Sequence, residues 1–148
     1  MPPIRLKAAH ALAPSDLSDW GPAKEPVGQP VADIRGSELI ETDAPKDRIG
    51  IWECTPGRWR RQVMEREFAH FIAGRGRFIP DRGEPIEILA GDAVWFPAYT
   101  TGTWEVNETL RKTYVIIGFR PIERVITRLS RGIASLGIFP DKIVKRKF

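Results

Sequence analysis

The chain has 148 residues, of which 42% are hydrophobic and 28% charged, the composition of a soluble globular domain large enough to bury a core. A single cysteine, Cys54, excludes an internal disulfide framework and fits a reducing, cytoplasmic location. From Arg120 onward there are eight basic and two acidic residues, a local charge of +6, so the chain total of +4 leaves −2 for the rest. The basicity therefore belongs to the C-terminal segment, which is short and has no interleaved aromatics for stacking bases, so no nucleic-acid partner is expected. Met1 to Arg5 lack the apolar run of a signal peptide. No segment approaches the ~18 consecutive apolar residues of a membrane helix.

Residues 1–30 have no clean hydrophobic period and read as an N-terminal arm. Ser15 to Gly21 predict one helical turn or a folded-over arm, with Trp20 packed on something rather than left in water. From Val31 the pattern turns to strands. Val31–Arg35, a turn at Gly36-Ser37 and Glu38–Glu41 predict a hairpin. Asp43 to Asp47 is a loop, Arg48–Glu53 a strand, and Thr55-Pro56-Gly57 a tight turn. Strands follow at Arg58–Met64, Glu67–Ala73 and Gly76–Ile79, with Gly74-Arg75-Gly76 as the hairpin turn between the last two. Further strands are predicted at Pro85–Leu89, Ala93–Phe96, Thr103–Asn107 and Lys112–Gly118. Short strands at regular spacing, separated by turn signals and set among thirteen Gly and thirteen Pro, indicate a sandwich, barrel or jelly roll. Ile122, Val125, Ile126, Leu129, Ile133 and Leu136 then recur at steps of three and four. That is one face of an amphipathic helix, with Arg124, Arg128 and Arg131 on the other side and Gly137 and Pro140 as its stop.

Two spaced motifs organise the strands. Glu67 stands seven residues before Gly74, and Gly91-Asp92-Ala93-Val94-Trp95-Phe96-Pro97 encloses five residues between Gly and Pro. They resemble the end of the first and the whole of the second cupin motif. Ile51 to Arg58, Glu67 to His70, Gly102 to Glu105 and Arg111 to Ile116 are similar to the cupin-3 subfamily, which includes (S)-ureidoglycine aminohydrolase cupin domains. The resemblance spans roughly residues 49–118. It implies an all-β, single-domain jelly-roll barrel over 31–118, with the arm at 1–30 and a basic helix and tail at 119–148.

Cupins commonly hold a divalent transition metal through two His and a Glu of the first motif and a His of the second. Counted back from Glu67, the two His positions fall on Arg60 and Gln62; counted on from Pro97, the third falls near Gly102. The aminohydrolase positions on the same strands carry Arg61 and Val63. Only Glu67 is kept, so no cofactor is expected. A divalent metal would need unorthodox ligands, with Glu67 and His70 the candidates. Three residues along a strand, however, place these two on opposite faces.

If Glu67 points inward as in cupins, then Arg60, Gln62 and Ala69 share its face, and Trp104, Lys112 and Tyr114 join them. Buried polar groups of this kind must pair with each other or with a ligand. An Arg60–Glu67 ion pair can fill the metal position. Alternatively Arg60 or Lys112 grips a carboxylate or carbonyl, Glu67 serves as general base, Ala69, Ala73 and Gly102 leave room, and Trp95, Tyr99 and Trp104 form walls.

The expected function is therefore a small-molecule-binding cupin with Arg60, Gln62, Glu67, Tyr99, Trp104 and Lys112 at the ligand. One alternative is a metal-dependent enzyme on small nitrogenous or keto metabolites. Another is a non-catalytic accessory or regulatory protein. A homodimer is expected, the C-terminal helix packing on self or on a partner rather than on a membrane.

Overall fold

The computed structural model describes residues 3, 11–43, 46–119 and 128–129. Between residues 11 and 118, a 3-10 turn at Pro14–Asp16 precedes eight strands. They are β1 (Ser18–Pro22), β2 (Asp33–Glu41), β3 (Arg48–Cys54), β4 (Gly57–Val63), β5 (Arg66–Pro80), β6 (Ile86–Leu89), β7 (Ala93–Phe96) and β8 (Thr100–Ile117). All pairings are antiparallel, and the main path runs β1-β2-β3-β8-β5-β6. Of the helix expected after residue 119, all but Arg128 and Leu129 lie outside the described residues.

The two long strands make the jelly roll. β8 pairs with β4 through its first half and with β3 through its second, while β5 lies along its other side. β5 in turn pairs with β7 early and with β6 late. Each long strand thus begins in one sheet and ends in the other, and the two sheets close over a shared interior.

Two glycine-based turn predictions and one strand break are corrected here. Gly36-Ser37 is no hairpin turn but lies inside β2, where Gly36 pairs with Trp52 and Ser18. It is glycine because Trp20 lies flat against it: an added Cβ would stand 2.2 Å from the indole. Gly74-Arg75-Gly76 likewise falls inside one continuous strand, at a bulge where the β5–β8 register shifts three times between Phe71 and Gly76. Bulges bend a strand and flip its facing. Glu67, Ala69 and Phe71 are buried before this one, Gly76 and Phe78 after it. The strands predicted at 103–107 and 112–118 are also one, β8.

The interior is aromatic. Trp104, fully buried, has the rings of Trp52, Phe71, Phe78 and Phe96 with centroids 5.2–6.1 Å away. Phe78 meets Phe96 edge to face at 5.2 Å, an arrangement favoured by ring quadrupoles. Outside this barrel, residues 11–17 cover the outer face of β3. Leu12 and Leu17 pack with Ile51 and Ile72. Glu53 and Arg111, buried beneath, form a 2.5 Å ion pair, and Arg111 donates a further bond to the Leu12 carbonyl. The arm is thus fixed by apolar contact and by one satisfied buried charge pair.

The bulge predicts a graded glycine effect. Gly74 has φ +88°, and a Cβ there would lie 2.1 Å from the Thr109 carbonyl oxygen; Gly91 has φ +100° but open space. Gly91→Ala should cost about 1 kcal/mol of backbone strain. Gly74→Ala should cost roughly 3 kcal/mol, because strain and a backbone clash add. Urea unfolding of both variants measures the order; equal losses would contradict the bulge.

Candidate functional site

One mouth of the barrel is polar. A cavity of about 300 Å³ there is lined by Trp20, Glu38, Arg48, Trp52, Arg61, Glu67, Lys112, Tyr114 and Ile116. Its floor is Glu67, 1% exposed, which faces inward from β5 opposite Phe96 and Ile116. Arg61 of β4 donates from Nη2 to Glu67 Oε2 at 2.6 Å, and Lys112 Nζ of β8 donates to Glu67 Oε1. The Lys112 ammonium also lies 4.7 Å from the centre of the Trp52 ring, a cation–π contact. Arg48 at the rim is paired with Glu65 at 2.5 Å.

The three charges do not cancel. Glu67 carries one negative charge against two positive ones. Arg61 Nη1 is buried and has no hydrogen-bond partner among the described residues. Burial pushes the Glu67 carboxyl up, but the charges and hydrogen bonds of Lys112 and Arg61 outweigh it, and the net displacement is downward. Burial pulls the Lys112 ammonium down to about 8, against the attraction of Glu67 and with help from Arg61. Tyr114 is pushed up to about 12, by burial first and then by Glu38. At neutral pH the mouth thus offers a carboxylate with both oxygens engaged, two cationic donors and a phenol that keeps its proton.

Of the residues singled out by sequence, Glu67 and Lys112 come together and Tyr114 joins them. Arg60 and Gln62 do not face the interior. β4 buries Trp59 and Val63 and turns Arg61 inward, and this facing is set by its register on β8, Trp59 opposite Trp104 and Arg61 opposite Gly102. The inward positions of β4 are therefore Arg61 and Val63 rather than Arg60 and Gln62. Arg60 lies on the other face and makes a two-pronged 2.7 Å pair with Asp81, holding its carboxyl near 2 together with Thr101. Arg60 and Gln62 instead border an outer cleft with Trp20, Lys24, Glu25 and Arg61. The expected Arg60–Glu67 pair is replaced by Arg61 and Lys112 on Glu67.

Trp104 is the hub of the core rather than a wall of this cavity, and Tyr99 sits at φ +63° in the turn before β8, also away from it. Trp95 is on the outside. The space at Gly102 is filled by Phe78, 2.5 Å from where a Cβ would be, and Ala73 is exposed. His70 is exposed on the outer face, paired across β5 with Ala93 and Thr113. Cys54 is buried, its thiol pushed up to about 12 by burial, which makes it a poor nucleophile.

A divalent metal does not fit this donor set. Among the described residues no three His, Cys, Asp or Glu converge. Glu67, kept from the cupin metal motif, has both oxygens taken by cations, and Arg61 and Lys112 offer donors where a metal needs lone pairs.

The trio gives stability a definite pH dependence. Glu67→Gln leaves two buried cations without a counter-charge and should cost about 3 kcal/mol at pH 7. Because the folded Glu67 pKa lies below its ordinary 4.5, its contribution is complete above that value and is lost as pH falls through the folded pKa. Wild type and variant should therefore converge in acid. Denaturant midpoints measured from pH 7 down to 3 test this, and a constant gap would refute it.

Comparisons with known proteins agree with the fold and the motifs. Residues 42–114 match the model of the EutQ-like cupin domain. No curated protein matches the chain. A protein of unknown function from Pseudomonas syringae pv. tomato superposes with TM-score 0.61 at 25% identity, covering 68% of this chain and 43% of that one, so the chain spans less than half of that relative's length. The EutQ protein of Clostridium difficile superposes with TM-score 0.53 at 18% identity, covering 59% of this chain and 69% of the other. A predicted oxalate decarboxylase from Thermotoga maritima does so with TM-score 0.54 at 20% identity, over 74% and 99%. Residues 42–114 of the 148-residue chain thus resemble the EutQ-like cupin domain, and the antiparallel jelly roll of eight strands agrees with that match.

Proposed function

We propose that the protein binds a small carboxylate in the barrel mouth, with Arg61 as the grip and no resident metal. The observation that carries this reading is Arg61 Nη1, buried beside a cavity of about 300 Å³ without a hydrogen-bond partner among the described residues. A buried guanidinium N–H left unpaired is costly. A carboxylate oxygen would satisfy it in a charge-assisted bond. The buried trio of Arg61, Glu67 and Lys112 carries one positive charge in excess, offset among the described lining residues only by the exposed Glu38, and this favours an anion over a neutral ligand beside Arg61. Trp52, Ile116 and the Trp20 ring supply apolar surface for the rest of the molecule. Glu67, with a lowered pKa and two cations on it, is a weak general base and serves chiefly to hold the two cations in place.

Two measurements test the reading. A thermal-shift screen of small carboxylates should stabilise the wild type, and Arg61→Gln should abolish that shift while remaining folded; a shift that survives in the variant would place the ligand elsewhere. Elemental analysis of untagged protein, before and after soaking with Mn, Fe, Ni and Zn salts, should find no stoichiometric transition metal. A stoichiometric metal would favour the metal-dependent enzyme instead.

A further inference from the structure

Carboxylate binding by Arg61 leaves Lys112 without a task beyond its ion pair. Among the described residues it is the only lysine with a buried side chain, Lys24 and Lys46 being exposed. Lys112 lines a cavity that Arg61 and Glu67 also line.

We infer that Lys112 captures the carbonyl carbon of a small 2-oxo acid as an imine while Arg61 holds the carboxylate of the same molecule. This deepens the carboxylate-binding reading and rests on it. The geometry points to this class of molecule. Arg61 Nη2 and Lys112 Nζ each bond one oxygen of the same Glu67 carboxylate. Their nitrogens are therefore separated by at most two hydrogen bonds and the width of a carboxylate, about 7 Å. A 2-oxo acid carries its carboxylate and its electrophilic carbon on adjacent atoms, so one small molecule can reach both groups. A simple carboxylate would use Arg61 alone.

Lys112 gives its proton to solvent, while Glu67 stays ionised against it. The neutral amine then adds to the carbonyl carbon, the C–N bond forms, and the carbonyl electron pair moves to oxygen. The added nitrogen passes a proton to that oxygen, giving a carbinolamine, whose hydroxyl takes the solvent proton back and leaves as water, with Glu67 paired to the cationic product. In sum, an ammonium and a carbonyl give a protonated imine and one water, with no oxidant or reductant. The surroundings favour the reactive form. With the ammonium drawn down to about 8 by burial, roughly a tenth of the amine is neutral at pH 7, a condition for lysine nucleophiles. The Trp52, Phe71 and Phe96 rings around Nζ, at 4.7, 5.9 and 5.8 Å, limit access of water that would hydrolyse the imine.

The test is reductive trapping of the full chain with pyruvate and sodium cyanoborohydride, read by peptide mass mapping. The expected product carries the mass of pyruvic acid less one oxygen atom on Lys112, well above the level on the exposed Lys24 and Lys46. Trapping in Arg61→Gln should fall by about tenfold, the loss of one charge-assisted contact. Mapping is done on the wild type, so the result does not depend on a Lys112 variant that folds. Lactate, which has the carboxylate but no carbonyl, is run in parallel by thermal shift. If lactate and pyruvate both stabilise the protein but Lys112 is modified no more than Lys24 and Lys46, the imine is wrong and the carboxylate site stands. If neither stabilises the protein and Lys112 is unmodified, both fail.

Discussion

A carboxylate shared between two cations inside an apolar barrel is the interaction on which the site depends. Glu67 alone, at 1% exposure, would cost several kcal/mol to keep ionised. Arg61 and Lys112 alone would be worse. Together they are tolerable because each oxygen of Glu67 meets one donor, and low polarity around them strengthens every contact. The arrangement joins the consecutive strands β4 and β5 to β8, some forty-five residues further on. Within the trio it also leaves one positive charge in excess and one guanidinium N–H unsatisfied among the described residues.

That trio exists only because two strands are long enough to serve both sheets. β5 supplies Glu67 and Phe71 to one end of the interior and Phe78 to the other, with the change of facing made at Gly74, where a side chain would strike the Thr109 carbonyl. β8 supplies Trp104 to the aromatic centre and Lys112 and Tyr114 to the mouth. The aromatic cluster around Trp104 is the rigid base beneath the polar layer, and Phe71 and Phe96 touch both, through ring contacts with Trp104 and through the Lys112 ammonium. Packing of this kind holds polar groups in place without using loops, which are the mobile parts of most folds. On the other side of β3, the Glu53–Arg111 pair follows the same rule of charge satisfied in kind and anchors residues 11–17 through the Leu12 carbonyl.

The sequence by itself determined the class of the fold. Alternating apolar residues and Pro/Gly punctuation located most strands, and the spaced Glu, Gly and Pro residues pointed to the cupin barrel and to Glu67 at its mouth. Lys112 was legible too, because its strand keeps one facing from Leu110 to Tyr114. The tertiary structure alone decided continuity and pairing. A glycine in a sequence looks the same whether it makes a turn, a bulge or room for a neighbour. Gly36 proved to make room for Trp20 and Gly74 to make a bulge, so two predicted turns became uninterrupted strand. Facing across β4 was the decisive miss, since shifting a strand by one residue exchanges its two faces. Which of Arg60 and Arg61 enters the barrel is fixed by pairing of β4 with β8 across some forty residues, and the local signal for it was Trp59 and Val63 alternating with Arg58, Arg60 and Gln62. The partner of Glu67 is fixed by that register, and with it the charge of the site.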